Sequence, residues 1–223
     1  MKKMPPFPRA ILFDWDNTLV DSWEGMQRAM NATLIAMGHE PWTMEQAQQR
    51  MNRSLRNAFP ELFGERWHEA HDIFYEAFTE GHLETLKPLP GTEKMLETLH
   101  EMGIFMGIAS SKVGPMLRKE IAHFGWEKYL PGVVGAGEAE KDKPAKEAAL
   151  FAIHGTNIKL GEALWVVGDL PIDVEFARNA GTTAIVMNSS LPDIKDFGDL
   201  APDWVVDHCK DLPPFVRACA DDA

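Results

Sequence analysis

The last two thirds of the chain alternates short apolar runs with segments of helical periodicity. The runs 104–109, 164–167 and 183–187 are too short for buried helices, and their composition indicates buried strands. Strands that alternate with helices in this way form a parallel sheet covered by helices on both faces. The predicted fold class is therefore α/β, with a Rossmann-like parallel sheet as its core.

Proline and glycine mark the ends of the helices between these strands. Four helices are predicted, at residues 92–102, 115–124, 145–153 and 171–180. Val133-Val134 indicates a short strand, and Trp204 to Val206 an edge strand. Functional residues in such sheets lie at the carboxyl ends of the strands.

Residues 21–86 have a different pattern, without a convincing strand. They contain one helical stripe before Gly38 and a second long helix around residues 67–78, rich in methionine and aromatic side chains that we interpret as packing. The stripe consists of Met26, Met30, Leu34 and Met37. A helical block inserted into an α/β core indicates a cap. The predicted domains are therefore a core of 1–20 and 87–223, and a mainly helical cap of 21–86.

An acidic motif, Asp14-Trp15-Asp16-Asn17-Thr18, follows the apolar run at residues 10–13. Where a strand gives way to a loop, two nearby carboxylates can converge on one site. Converging carboxylates are costly unless a cation neutralises them. Hard divalent cations such as Mg²⁺ take oxygen ligands of this kind. The motif therefore indicates a carboxylate nucleophile, a second acid beside it and a metal.

Three further elements follow in order: Ser110 after an apolar run, Lys143 before Pro144, and the segment from Gly168 to Asp173. Together with the acidic motif, this ordered set resembles the haloacid dehalogenase superfamily, particularly its phosphoglycolate-phosphatase-like hydrolases. The resemblance covers nearly the whole chain, from residue 14 to residue 181. It implies hydrolysis of a small phosphorylated metabolite with Mg²⁺ as cofactor.

The resemblance also implies roles for the carboxylates. Asp14 is the candidate nucleophile, which would form an aspartyl-phosphate. Asp16 is the candidate general acid and base, and its backbone carbonyl would also reach the metal. Asp169 is the candidate metal ligand from the fourth motif. The predicted metal site is therefore Asp14, Asp16 and Asp169.

The phosphate would be held by Ser110, with Ser111 beside it, and by Lys143. Ser111 stands where an Asn is common in this branch of the superfamily. Lys143 would also act in catalysis, because its charge would neutralise phosphate and steady Asp14. Lys141 does not match the Lys-Pro signature of the family. Proline at 144 also biases the backbone of Lys143 toward an extended form.

Three polar residues have supporting assignments with alternatives. Thr18 would orient the motif loop, or serve as an ordinary turn hydroxyl. Asp173 would bind the metal directly, through water, or only orient its neighbours; its alternative is a favourable Asp near a helix N-terminus. Asn17 stands where the family motif commonly has Gly, and Asn tolerates unusual backbone angles.

The predicted cap has no lysine and five arginines. Arginine suits bidentate recognition of a carboxylate or a second phosphate. Arg53 and Arg56 are the candidate substrate contacts, at three-residue spacing, and Arg53 is the first choice because Asn52 and Ser54 flank it. The alternative is that they are solvated surface arginines that balance the cap glutamates.

Composition limits the partners. The formal net charge of −12 argues against nucleic acid as a partner. No stretch approaches the length of a membrane span. The two cysteines, Cys209 and Cys219, form no disulfide framework and fit a reducing cytoplasm. A monomer and a homodimer are both compatible with the sequence.

The same fold also carries other activities. A phosphomutase or phosphotransferase acting on a sugar phosphate would use the same Asp14 and Asp16, so it stays an alternative. A 2-haloacid dehalogenase lacks the second acid, which is present here. Phosphonate-cleaving relatives need a cap lysine for a Schiff base, and residues 21–86 have none. A non-catalytic binding protein would be favoured by loss of a motif carboxylate or of the lysine, and all are retained.

Overall fold

The computed structural model describes residues 3–51, 55–188 and 197–221, without the side chains of residues 55–57 and 221. The chain divides into two compact units, Met1–Val20 with Pro88–Ala223, and Asp21–Lys87. The domain boundaries predicted from sequence lie after residues 20 and 86. We call the first unit the sheet unit and the second the helical unit.

Strands and helices alternate through most of the sheet unit. The strands are β1 (Ala10–Phe13), β2 (Val20–Asp21), β3 (Lys87–Pro88), β4 (Phe105–Val113), β5 (Gly132–Ala136), β6 (Leu164–Gly168), β7 (Thr183–Met187) and β8 (Trp204–Val206). The helices are α1 (Trp23–Ala36), α2 (Met44–Arg50), α3 (Leu55–Phe63), α4 (Trp67–Thr79), α5 (His82–Thr85), α6 (Thr92–Glu101), α7 (Gly114–Phe124), α8 (Lys146–Ala152), α9 (Pro171–Ala180) and α10 (Leu212–Asp221).

Six strands form one parallel sheet in the order β5-β4-β1-β6-β7-β8. The short strands β2 and β3 pair with each other in a separate two-stranded sheet. Strand β1 lies in the middle of the large sheet, with β4 and β5 on one side of it and β6, β7 and β8 on the other. The predicted α/β fold with a parallel sheet is confirmed.

Both faces of the sheet are buried, as the continuous apolar runs require. Leu12 and Val166 lie on one face and pack in a cluster with residues of α8 and α9, such as Ala149 and Phe176. Side chains alternate between the faces of a strand, so Trp165 lies on the other face. There its ring centroid is 5.6 Å from that of Phe215 in α10.

Two elements differ from the sequence prediction. Strand β4 continues to Val113 rather than ending at Ala109, and its pairing with β5 shifts register between these two residues. The irregularity is a bulge formed by residues 110–112, and no local sequence pattern marked it. Helix α10 was not predicted at all, because Pro213 and Pro214 resemble a loop; they occupy its first turn, where proline is tolerated.

The helical unit is built around α1 and α4, with α2 packed on α1 and α3 on α4. The apolar stripe of α1 is buried at Met30 and Leu34, and that of α4 at Phe74 and Phe78. The rings of Phe74 and Phe78 stack with centroids 5.9 Å apart. These side chains form the core of the unit, which agrees with their interpretation as packing residues.

None of the helices in the described ranges combines the length and the apolar character that crossing a membrane requires.

Candidate active site

Three neighbouring strands bring the sequence motifs to one edge of the sheet. Asp14 follows β1, Ser110 lies in the bulge of β4, and Asp169 follows β6. The N–H of Asp14 donates to the carbonyl oxygen of Val167 at 2.8 Å, which continues the pairing of β1 with β6 by one residue. Ligand sites of open α/β sheets lie at such a point, where the connections from a central strand change direction.

A carboxylate cluster lies at this edge. Oxygen atoms of Asp14, Asp169 and Asp173 come within 4.8 Å of one another. The hydroxyl of Thr18 donates to Oδ1 of Asp169 at 3.1 Å, so this side chain joins the motif loop to the fourth motif. Gly168 leaves the room for Asp173, because a Cβ at residue 168 would lie 2.0 Å from the carboxyl carbon of Asp173.

Lys143 joins the two ends of the cluster. Its Nζ donates to Oδ1 of Asp14 at 2.8 Å, to Oδ1 of Asp173, and to the carbonyl oxygen of Ala109 at 3.3 Å. Only 2% of its side chain is exposed. Burial by itself would lower the pKa of Lys143, but the carboxylates of Asp14 and Asp173 outweigh burial and raise it. The ammonium is therefore a fixed positive charge in the cluster.

Lys141 has a different environment, although it is only two residues away. Its side chain is 65% exposed, and its Nζ lies 3.8 Å from Glu147. The structure thus brings Lys143 into the cluster and leaves Lys141 at the surface.

The charge balance of the cluster suits a hard divalent cation. Burial raises the pKa of Asp14 to about 7, and the nearby Asp173 and Asp16 carboxylates add to this rise while Lys143 opposes it. The cluster contains three carboxylates and one ammonium, and carboxylate oxygens are the ligands that Mg²⁺ prefers. The donor set of Asp14 and Asp169, with Asp173 beside them, therefore fits Mg²⁺.

Each carboxylate oxygen of Asp173 accepts a hydrogen bond. Its Oδ1 accepts a hydrogen bond from the Lys143 ammonium. Its Oδ2 accepts one from the N–H of Leu170, at 2.9 Å, at the start of α9. Both oxygens are thus engaged, which favours an orienting role over direct metal binding. The carboxylate of Asp16 points to Lys112 at 2.8 Å. The predicted metal contact of Asp16 through its backbone carbonyl stays a prediction.

The motif loop turns sharply after Trp15. Its carbonyl oxygen accepts the N–H of Leu19 at 3.0 Å, and the N–H of Asn17 donates to the carbonyl oxygen of Val20 at 2.7 Å. Asn17 has φ of 60°, in the left-handed region where Gly is common and Asn is tolerated. This conformation explains how Asn can replace the Gly of the family motif.

Comparison with known proteins agrees with this geometry. The sequence profile of the family described as haloacid dehalogenase-like hydrolase matches residues 11–187, which is most of the chain. This chain belongs to the haloacid dehalogenase-like hydrolases.

Individual relatives are phosphatases by name. The chain is 28% identical to phosphoglycolate phosphatase 1 of Pseudomonas aeruginosa, over 97% of this chain and 81% of that protein. It is 30% identical to a phosphoglycolate phosphatase of Xylella fastidiosa, over 81% of this chain and 80% of that protein. A haloacid dehalogenase-like family protein from Streptococcus pneumoniae has the same fold, with a TM-score of 0.83, 19% identity and coverage of 96% and 99%. This haloacid dehalogenase-like chain is therefore a hydrolase of the phosphatase type.

The predicted phosphate-binding serines of this hydrolase differ in exposure. Ser110 is 6% exposed, and its hydroxyl oxygen accepts the N–H of Lys112 at 3.1 Å inside the bulge. Ser111 is exposed. The phosphate contacts assigned to both serines stay predictions.

Two residues of this hydrolase's site were missed by the sequence analysis. Lys112 and Glu120 form a buried ion pair next to Asp16, with Nζ and Oε2 2.6 Å apart. Burial by itself would lower the pKa of Lys112, but Asp16 and Glu120 raise it. One signal could have found Glu120: an acid on the buried stripe of α7, between Leu117 and Ile121.

The predicted substrate arginines have no described side chains. Arg53 lies outside the described residues. Arg56 lies in α3, but its side chain is outside the described part. Both assignments stay predictions.

Proposed function

We propose that this protein is a Mg²⁺-dependent phosphatase that hydrolyses a small phosphate monoester through an aspartyl-phosphate on Asp14. The observation that carries the proposal is the convergence of Asp14, Lys143, Asp169 and Asp173 at one edge of the sheet, with Asp16 beside them. A carboxylate nucleophile, a fixed cation and a cation site in one place suit phosphoryl transfer, which depends mainly on positioning and charge stabilisation.

In the first step, a carboxylate oxygen of Asp14 attacks the phosphorus of the substrate. The bond from phosphorus to the ester oxygen breaks, and its electron pair goes to that oxygen. Asp16 gives its proton to the departing oxygen, so an alcohol leaves rather than an alkoxide. The contact with Lys143 supports Asp14 in its ionised form and places positive charge near the phosphoryl oxygens.

In the second step, a water molecule attacks the phosphorus of the aspartyl-phosphate. Asp16, now ionised, takes a proton from that water. The bond from phosphorus to the Asp14 oxygen breaks, and its electron pair returns to the carboxylate. Phosphate leaves, and both aspartates regain their initial protonation states.

The cation would be held by Asp14 and Asp169, with Asp173 and Thr18 orienting them. When bound, Mg²⁺ supplies charge stabilisation for the phosphoryl oxygens and lowers the pKa of Asp14. Ser110 and the neighbouring Ser111, both on β4, are assigned as contacts of the phosphoryl oxygens.

The names of relatives support a small phosphorylated metabolite as substrate, since several are phosphoglycolate phosphatases. Substrate choice is assigned to residues 21–86, with Arg53 and Arg56 as candidate contacts. The panel that tests this should include phosphoglycolate, sugar phosphates and nucleoside monophosphates.

The decisive experiment measures phosphate release by the purified protein with Mg²⁺ and with EDTA, for the wild type and Asp14→Asn. We expect turnover only with Mg²⁺ and only with Asp14 intact. Acid quenching during turnover should trap a phosphoryl group on a peptide that contains Asp14. Asp72→Asn is the matched control, because this aspartate is 85% exposed on α4. Wild-type turnover by Asp14→Asn, or a trapped phosphoryl group elsewhere, would exclude the mechanism.

A further inference from the structure

The β4 bulge and helix α7 hold a buried ion pair beside the motif loop. Lys112 is the last residue of the bulge, and Glu120 lies two turns along α7. The side chain of Lys112 is 6% exposed, and that of Glu120 is fully buried. Burying two charges is costly, so a pair retained here has a use that an apolar pair would not serve.

Lys112 contacts both Asp16 and Glu120. Its Nζ donates to Oδ1 of Asp16 at 2.8 Å and to the two carboxylate oxygens of Glu120 at 2.8 and 2.6 Å. Glu120 on α7 thus fixes the position of the Lys112 ammonium. This ammonium in turn orients the Asp16 carboxylate. Bulges next to active sites commonly re-aim a side chain in this way.

Glu120 also holds the motif loop, through the side chain of Trp15. Its Oε2 accepts the indole N–H of Trp15 at 2.5 Å. The Trp15 ring packs against Trp126 and Phe124, with centroids 5.9 and 6.5 Å away. Because Trp15 lies between Asp14 and Asp16 in the chain, one buried carboxylate anchors the loop through Trp15 and the Asp16 side chain through Lys112.

We infer that Lys112 and Glu120 are positioning residues that hold the Asp16 carboxylate in its place for proton transfer. This inference rests on the proposed role of Asp16 as general acid and base. Asp16 is 25% exposed on its side chain, so without Lys112 it would sample several rotamers. Proton transfer to a leaving group requires the acid within hydrogen-bond reach, and misplacement reduces the rate.

The inference predicts a dependence on the leaving group. An alkoxide needs a proton to leave, whereas nitrophenolate leaves readily without one. Loss of Lys112 should therefore lower kcat/KM for glycerol 2-phosphate much more than for 4-nitrophenyl phosphate. Complete loss of a general acid typically costs about 100- to 10,000-fold, so losing only its orientation should cost about 10- to 100-fold on the alkyl ester.

The experiment compares four variants on both esters: Asp16→Asn, Lys112→Met, Asp16→Asn with Lys112→Met, and Lys119→Met. Lys119→Met is the matched control, because it removes an exposed lysine charge from α7, the helix that carries Glu120. Lys112→Met should show the leaving-group pattern of Asp16→Asn. It should have no further effect on the alkyl ester when Asp16 is already Asn, since a residue that acts through Asp16 has nothing left to position.

Several results would overturn the inference. One is that Lys112→Met lowers kcat/KM for both esters by the same factor, which indicates an effect on the fold or on shared chemistry. Another is that it lowers kcat/KM for neither ester. A loss of kcat/KM in the Asp16→Asn, Lys112→Met double variant that equals the sum of the two single losses, as free energies, would show that Lys112 acts independently of Asp16. If Asp16→Asn itself has no leaving-group dependence, the proposed role of Asp16 fails, and this inference fails with it.

Folding is checked by circular dichroism and thermal unfolding of each variant. If Lys112→Met does not fold, because the Glu120 carboxylate loses this ammonium, the test uses Lys112→Met together with Glu120→Gln. The amide of Gln keeps an oxygen for the indole N–H of Trp15, so the loop anchor survives. This folded double variant should show the same selective loss on the alkyl ester, and an unchanged ratio between the two esters would overturn the inference.

Discussion

The raised pKa of Asp14 leads to a stability prediction for the metal-free protein. Burial raises this pKa from 3.8 to about 7. A carboxyl with a higher pKa in the folded chain binds its proton more tightly there than in the unfolded chain. The free energy of unfolding therefore falls as pH rises between the two values, and the loss is complete above the folded pKa.

The size of the effect follows from the shift. Each pKa unit corresponds to about 1.4 kcal/mol. About two of these units, those from pH 5 to the folded Asp14 pKa of about 7, lie in the interval from pH 5 to pH 8. Asp14 should thus cost the metal-free protein about 2–3 kcal/mol of stability across this interval. For a domain of this size, that is a decrease in Tm of roughly 5–10 °C.

The assay is thermal unfolding in EDTA between pH 5 and pH 8, for the wild type and Asp14→Asn. The amide does not titrate, so the pH slope of the variant should be shallower by the amount above. In the wild type, burial by itself would lower the pKa of Lys143, but the carboxylates of Asp14 and Asp173 outweigh burial and raise it, so Lys143 stays charged across this range. The raised pKa of Glu120, which burial causes, contributes equally to both proteins.

Adding Mg²⁺ supplies the second half of the test. Binding of the cation to the ionised cluster stabilises the folded state in proportion to the logarithm of its concentration over Kd. The gain in Tm should be larger at pH 8 than at pH 5 for the wild type, and should nearly vanish in Asp14→Asn. Asp72→Asn, at an exposed position, should behave like the wild type in both parts. Equal pH slopes for the wild type and Asp14→Asn in EDTA would refute the reasoning.

Three further predictions concern the cluster. Lys143→Ala should lower kcat/KM by about 100-fold or more, as the loss of one fixed transition-state donor does. Lys141→Ala, at the surface, should have little effect on kcat/KM. Equal losses in the two variants would contradict the placement of the third motif. Gly168→Ala should reduce Tm and lower the free energy of unfolding by about 1–3 kcal/mol, because the new Cβ would overlap the carboxyl group of Asp173; an unchanged Tm would show that Asp173 moves without cost. Asp169→Asn should weaken Mg²⁺ binding, measured by calorimetry, while leaving the metal-free fold intact; unchanged affinity would place the cation elsewhere.

Much of the fold was predictable because its signals are local. The bounds predicted for β7 and α9 are those observed, since each is a short apolar run or a proline-to-glycine segment with clear ends. The left-handed backbone of Asn17 also agrees with a local property of that residue type. Such features depend on a few neighbouring residues, so the sequence alone determines them.

The sequence names catalytic candidates by residue type and order, but it does not give their contacts. Lys143 and Lys141 are two residues apart, yet one is buried between Asp14 and Asp173 and the other is exposed. The following proline favoured Lys143, whereas only the tertiary structure defines its contacts.

The Lys112–Glu120 pair was decided by the tertiary structure alone. Lys112 lies where the pairing of β4 with β5 shifts register, and it contacts Asp16, 96 residues away in the chain. A bulge depends on the register between two strands, which no single segment encodes. The sequence by itself therefore predicted the six strands of the large sheet, the helices α6 to α9 and the motif carboxylates. The packing of β4 against β1 and α7 decided that Lys112 contacts Asp16. Ion pairs form between groups that are close in space, whatever their separation in the sequence.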